Sequence, residues 1–82
     1  MKFKTIIGGT EAEALVKFHW LAEADFEDAV IDITYNYLVW KNGVWEYGTW
    51  ENGFWRGGRM WSNANQIYEI VEYKDGKFTV IS

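Results

Sequence analysis

Cysteine is absent, so neither a disulfide framework nor a thiolate metal site is available, and the core has to come from packing. Serine occurs only at Ser62 and Ser82, and histidine only at His19, between Phe18 and Trp20. A nucleophile, histidine and acid set would rest on Ser62, which no motif surrounds. Carboxylates are present in number, but no calcium-loop spacing with its glycine occurs, and no pattern marks a cleft that would raise the pKa of one of them. The expectation is a protein that is not an enzyme, with no metal and no cofactor. Long apolar runs are missing as well: in MKFKTIIGGT only Ile6 and Ile7 follow the early lysines, far short of a signal-peptide core or a membrane span. The expected location is cytoplasmic, away from any membrane.

A basic excess is also lacking. The net charge is −4, and it is unevenly placed. Residues 18–40 carry Glu23, Asp25, Glu27, Asp28 and Asp32 with no Lys or Arg, whereas residues 1–17 carry three Lys against two Glu and residues 41–82 balance five bases with five acids. The whole excess sits in one segment. A nucleic-acid-binding domain needs the opposite sign in a patch, so direct nucleic-acid binding is not expected. The acidic run suits a partner protein with a basic surface.

What the chain does have is apolar and aromatic side chains, 49% and 20% of its 82 residues, which places it well outside the disordered range. At this length there is room for a single domain spanning residues 1–82, burying about two-thirds of the surface its unfolded chain exposes.

Residues 2–7 read as a short strand broken by Gly8 and Gly9. Thr10 and Glu13 form a T-x-x-E capping box that opens a helix over about residues 11–24. Ala14, Leu15, Phe18, Leu21 and Ala22 share its apolar face, and Glu13 and Lys17 are spaced for an i,i+4 pair on the other. Trp20 falls outside the apolar face and is a candidate contact residue. Glu23, Asp25, Glu27 and Asp28 crowd the helix C-terminus, where the macrodipole favours cations. From Ala29 the period changes to two, which indicates a strand through Val39.

In WKNGVWEYGTWENGFWRGGRMW, Trp40, Trp45, Trp50 and Trp55 recur every five residues, while Asn-Gly recurs every ten. The five-residue period fits a solenoid and the ten-residue period fits a meander of hairpins. Asn42-Gly43 and Asn52-Gly53 are strong signals for two-residue type I′ turns. Turns there place Trp40 opposite Trp45, Trp50 opposite Trp55, Glu46 opposite Arg59, and Gly48 and Gly58 opposite Tyr37 and Tyr47. Such pairs stabilise sheets, and they favour the meander. Asp75-Gly76 marks one more hairpin.

The fold class is therefore expected to be α+β: a short N-terminal strand, one helix, then an antiparallel β-meander of about five strands packed on the helix. Because an odd step changes face along a strand, Leu38, Trp40, Trp45, Tyr47, Phe54 and Met60 are assigned to one side. Ile31, Ile33, Tyr35, Tyr37, Val39, Val44, Trp50, Trp55 and Trp61 are assigned to the helix-covered other. One helix cannot cover both faces. Trp40, Trp45, Tyr47, Phe54 and Met60 are thus candidate contacts alongside Trp20 and the acidic run, since these residue types are enriched in interface cores. Glu51 and Asn36 are the nearest polar groups for a saccharide stacked on that face.

The segment GTWENGFWRG, residues 48–57, resembles the core of MORN-type repeats, which build antiparallel meanders. The W-x-x-G-x array is also similar to those of small phage-encoded proteins. The pentad spacing is similar to that of pentapeptide-repeat solenoids too. These resemblances imply no catalytic residue. Together with the acidic run they suggest a protein-binding domain, a phage or mobile-element inhibitor that occludes a basic, nucleic-acid-binding surface of a host defence factor. The alternatives are a module binding a saccharide or nucleotide on its aromatic face, and a structural homodimer.

Overall fold

The computed structural model describes residues 2–81. The elements in order are β1 (Phe3–Ile7), α1 (Glu11–Lys17), a 3-10 turn (His19–Leu21), β2 (Asp25–Asp32), β3 (Val39–Tyr47), β4 (Phe54–Trp55), β5 (Arg59–Ser62), β6 (Ile67–Lys74) and β7 (Lys77–Val80). The architecture is α+β. Seven strands form the sheet in the order β1-β2-β3-β5-β6-β7, with β4 also paired to β3. The sheet is mixed: β1 and β2 are parallel, as are β3 with β4 and β3 with β5, while the β2/β3, β5/β6 and β6/β7 pairs are antiparallel. This corrects the expected five-stranded antiparallel meander. Among the described residues no helix is long and apolar enough to cross a membrane.

The capping box forms as the sequence indicates: the Glu13 backbone N–H donates to Thr10 Oγ1 at 3.2 Å, and the Thr10 N–H donates to Glu13 Oε1 at 3.1 Å. The helix is shorter than expected. It ends at Lys17, because Phe18 leaves the helical region at φ −121° and ψ 67°. That change of direction swings Trp20 inward, onto Trp50 at 5.2 Å and Trp45 at 6.2 Å between ring centroids. Lys17 donates to Asn36 Oδ1 at 2.6 Å rather than pairing with Glu13. Of the acidic cluster only Glu23 directly follows a helical end, that of the 3-10 turn; Asp25, Glu27 and Asp28 lie in β2, and the last turn of α1 carries a lysine.

Asn42-Gly43 is not a chain reversal. It lies in the middle of β3, and the reversal between β2 and β3 is the segment 33–38, with Asn36 at φ +66°. Asn52-Gly53 is a bend leading into β4, which runs in the same direction as β3. Val39 pairs with Phe54, Trp40 with Trp55, Val44 with Arg59 and Trp45 with Met60, each fifteen residues apart. The chain therefore makes one coil, and the later half of β3 is itself part of the crossover that parallel strands require.

The glycines make the coil possible. Gly43, Gly48, Gly53 and Gly58 recur every five residues, and all sit at φ between +106° and +128°. Backbone in this region is strained for any residue with a Cβ, and a bulge of this kind shifts the inward–outward alternation by one. A five-residue step then returns to the same face instead of changing it. Trp40, Trp45, Trp50 and Trp55 consequently all point inward. Asp28, at φ +53°, does the same for β2, so that Phe26, Ala29 and Ile31 are all buried.

The core is this tryptophan cluster. Trp40 is fully buried and stacks on Trp55 at 5.2 Å with 7° between planes. Trp45 and Trp50 meet it edge-to-face at 5.6 and 6.0 Å. Each such ring pair contributes about 0.5–1.5 kcal/mol beyond area burial. The indole N–H of Trp45 donates to the Gly48 carbonyl at 3.3 Å. Those of Trp40, Trp50 and Trp55 are buried without an acceptor among the described residues. The rings themselves pack edge-to-face, Trp50 meeting Trp40, Trp45 and Trp55 at 6.0, 5.6 and 5.5 Å.

Candidate functional site

The C-terminal hairpin closes the open end of the coil. Asp75 and Gly76 at φ +54° and +79° form the tight turn between β6 and β7 that the sequence indicates, with Lys74 opposite Lys77. Tyr73 and Phe78 pair across the hairpin at 4.7 Å and pack on Trp50 at 5.9 and 5.8 Å. Phe78 also meets Trp55 at 5.3 Å. The hairpin is thereby fixed to the tryptophan cluster by the ring pair next to its turn. Between it and the segment from Trp45 to Glu51 lies an open cleft of about 1080 Å³.

Its walls are aromatic and its charged groups acidic. Tyr47, Trp61, Tyr68, Tyr73 and Phe78 line it, with the rims of Trp20, Trp45 and Trp50 at the base. Glu23, Glu46 and Glu51 supply three carboxylates, and no Lys, Arg or His occurs among the described residues of the lining. Lys74 and Lys77 flank the hairpin tip but do not line the cleft. One corner is organised by a hydrogen bond in which the Tyr68 hydroxyl donates to Glu46 Oε1 at 2.7 Å. That bond, helped by desolvation and the carboxylate's charge, pushes the Tyr68 hydroxyl pKa above its ordinary value. The Trp61 and Tyr68 rings meet at 4.8 Å with 62° between planes, so the corner presents ring faces at an angle beside a carboxylate.

The structure divides the sequence candidates. Trp20, Trp40 and Trp45 are not surface contacts: they are 5%, 0% and 3% exposed and belong to the core, because the change of direction at Phe18 turns Trp20 inward and the coil does the same for Trp40 and Trp45. Glu23, Tyr47 and Met60 do reach the cleft, Tyr47 being 72% exposed and Met60 half-buried against the core. Phe54 is exposed elsewhere, beside Tyr37 at 5.2 Å and under the Arg56 guanidinium at 5.6 Å.

Asp25, Glu27, Asp28 and Asp32 lie along β2, Asp32 as the period-two pattern indicates. Bases interrupt their field: Asp28 shares a smaller groove of about 340 Å³ with Lys4 and Arg59. Asp32 accepts from the Thr34 hydroxyl at 2.6 Å and the Thr34 backbone N–H at 2.9 Å, which, with attraction from Lys41, hold its carboxyl below the ordinary 3.8.

Sequence reasoning missed Glu46 and Tyr68 and assigned Trp61 to the covered face. Glu46 and Tyr68 are 22 residues apart on different strands, and no local pattern links them. Glu51 was picked out only as a polar group beside a stacked sugar. Among the described residues no group of three or more His, Asp or Glu is placed to hold a metal ion. Comparison with family models, with curated proteins and with solved structures finds no match. The reading of the cleft rests on its own chemistry.

Proposed function

We propose that the protein is a non-enzymatic binding domain that takes a basic segment of a partner protein into the acidic aromatic cleft and so occludes it. The observation that carries this reading is the lining itself: three carboxylates among aromatic walls, with no base among the described lining residues. Carboxylates in a concave wall attract cations from a distance and speed association at low salt, while exposed rings supply contact area and cation–π attraction close up. Glu23 and Glu51 steer, and Tyr47 and Trp61 supply contact area. A basic surface that normally holds nucleic acid is excluded from it once occupied. That is the inhibitor role expected of a phage or mobile-element protein acting on a host defence factor.

A second reading has an observation of its own. Asn63 and Thr49 join the aromatic rings and glutamates in the lining, a set that also suits a saccharide. Tryptophan fluorescence separates the two. A short peptide of alternating lysine, arginine and glycine should quench saturably, with an affinity that falls steeply with added salt, and Glu23→Lys with Glu51→Lys should abolish the effect. Saturable quenching by a neutral saccharide, insensitive to salt, would favour the second reading. Silence toward the peptide would overturn the first.

A further inference from the structure

We infer that the corner formed by Glu46, Tyr68 and Trp61 recognises a guanidinium group, so that arginine rather than lysine of the partner protein is the side chain the cleft selects. This inference rests on the cleft being the site of partner binding and names what it takes.

The Tyr68 hydroxyl holds Glu46 at Oε1 with a 2.7 Å bond. A carboxylate has about four acceptor positions, so one donated bond fixes its direction and leaves most of its capacity for a ligand. Glu46 is half-buried as a residue, while its bond to Tyr68 lies at the surface, so an ion pair there weakens with added salt. The donor comes from an exposed tyrosine on β6 and the carboxylate from the end of β3, so the corner exists only because the β5/β6 pairing brings the strands together.

Beside this fixed carboxylate the Trp61 and Tyr68 rings stand at 62° to each other with centroids 4.8 Å apart. A planar cation can lie against one ring face while its N–H edge points at the carboxylate. Guanidinium has that shape: it is flat, carries five donors in a fork, and is weakly hydrated. Ammonium is a compact and strongly hydrated point charge, which gains less from a ring face in a cleft open to water. Asn63 also lines the cleft, its carbonyl oxygens accepting from Gln66 Nε2 at 2.8 and 3.4 Å.

The test compares three short peptides of one sequence that differ only in carrying arginine, lysine or citrulline, each titrated against the intact protein by tryptophan fluorescence at low salt. The arginine peptide should bind about tenfold more tightly than the lysine peptide, and the citrulline peptide, planar but uncharged, should bind more weakly than either. Glu46→Gln should remove the preference for arginine over lysine while leaving weak salt-sensitive binding through Glu23 and Glu51. Tyr68→Phe, which keeps the ring and frees the carboxylate, should reduce the preference without abolishing it. Thermal midpoints of both variants establish that they are folded, and the discrimination by the unaltered protein needs no variant at all. Equal affinity for arginine and lysine peptides would overturn the guanidinium inference and leave the basic-partner reading standing. Failure of all three peptides to bind would overturn both.

Discussion

Replacing Gly43 with alanine tests the coil directly. Gly43 sits at φ +128° in the middle of β3, where a conventional strand would accept alanine at little cost. A Cβ there would stand 2.8 Å from Ala29 Cα and 2.9 Å from Trp40 Cζ2. Neither neighbour can retreat, since Ala29 is strand backbone and both residues are 0% exposed. The left-handed conformation costs a residue with a Cβ about 1–2 kcal/mol, and overpacking a core typically adds about 1–3 kcal/mol.

Gly76 provides the matched control. It also has a positive φ, +79°, but a Cβ there meets nothing within 4 Å. Gly76→Ala therefore carries conformational strain alone, partly offset by about 0.4–1 kcal/mol of lost unfolded-chain entropy, for a net cost near 1 kcal/mol. Gly43→Ala carries the same entropy offset and should cost about 1–4.5 kcal/mol, a large share of the roughly 4–12 kcal/mol typical of a chain this long. Urea unfolding followed by tryptophan fluorescence measures both, and two-state fits with similar slopes make the midpoints comparable. Should the two variants differ by less than about 0.5 kcal/mol, Gly43 is not packed as described and the coil is wrong.

Trp55→Ala should cost about 3–5 kcal/mol and sharply reduce the near-ultraviolet circular dichroism, because it removes the ring stacked on Trp40 and opens a cavity under Phe78. An unchanged aromatic spectrum in a folded variant would contradict the stack. Asp32 makes stability depend on acid: its folded pKa lies below the ordinary 3.8, so its stabilising bonds to Thr34 are fully present above that value and are lost as pH falls through the lower folded value. Asp32→Asn should lower the urea midpoint at neutral pH and flatten its decline as pH falls below the ordinary 3.8. A parallel shift of the whole curve would rule out this titration as the cause.

Several features were legible because local chemistry settles them. Thr10 and Glu13 cap a helix wherever that helix packs, and Asp75-Gly76 needs only two residues at positive φ to reverse the chain. Trp50 and Trp55 are buried as their residue type suggests, but with Phe78 of the β6/β7 hairpin packed on both instead of a helix alone, and Tyr47 and Glu23 reach the cleft. The corner built from Glu46, Trp61 and Tyr68 was not legible. It depends on the pairing of β5 with β6 and on the side chain from β3 that meets them.

The sequence by itself determined a small α+β domain with an aromatic core, and it displayed both periods, five for tryptophan and glycine and ten for Asn-Gly. Only the tertiary structure decided between them. Asn-Gly accepts a positive φ equally as a hairpin turn or as a bulge inside a strand, so the dipeptide alone is neutral. Hairpins would leave Trp40 and Trp45 facing solvent, whereas a positive-φ glycine every five residues, Gly43 within β3 and the others between strands, turns Trp40, Trp45, Trp50 and Trp55 into one buried cluster. Burial of those rings is a property of the assembled chain, and it is what selects the coil.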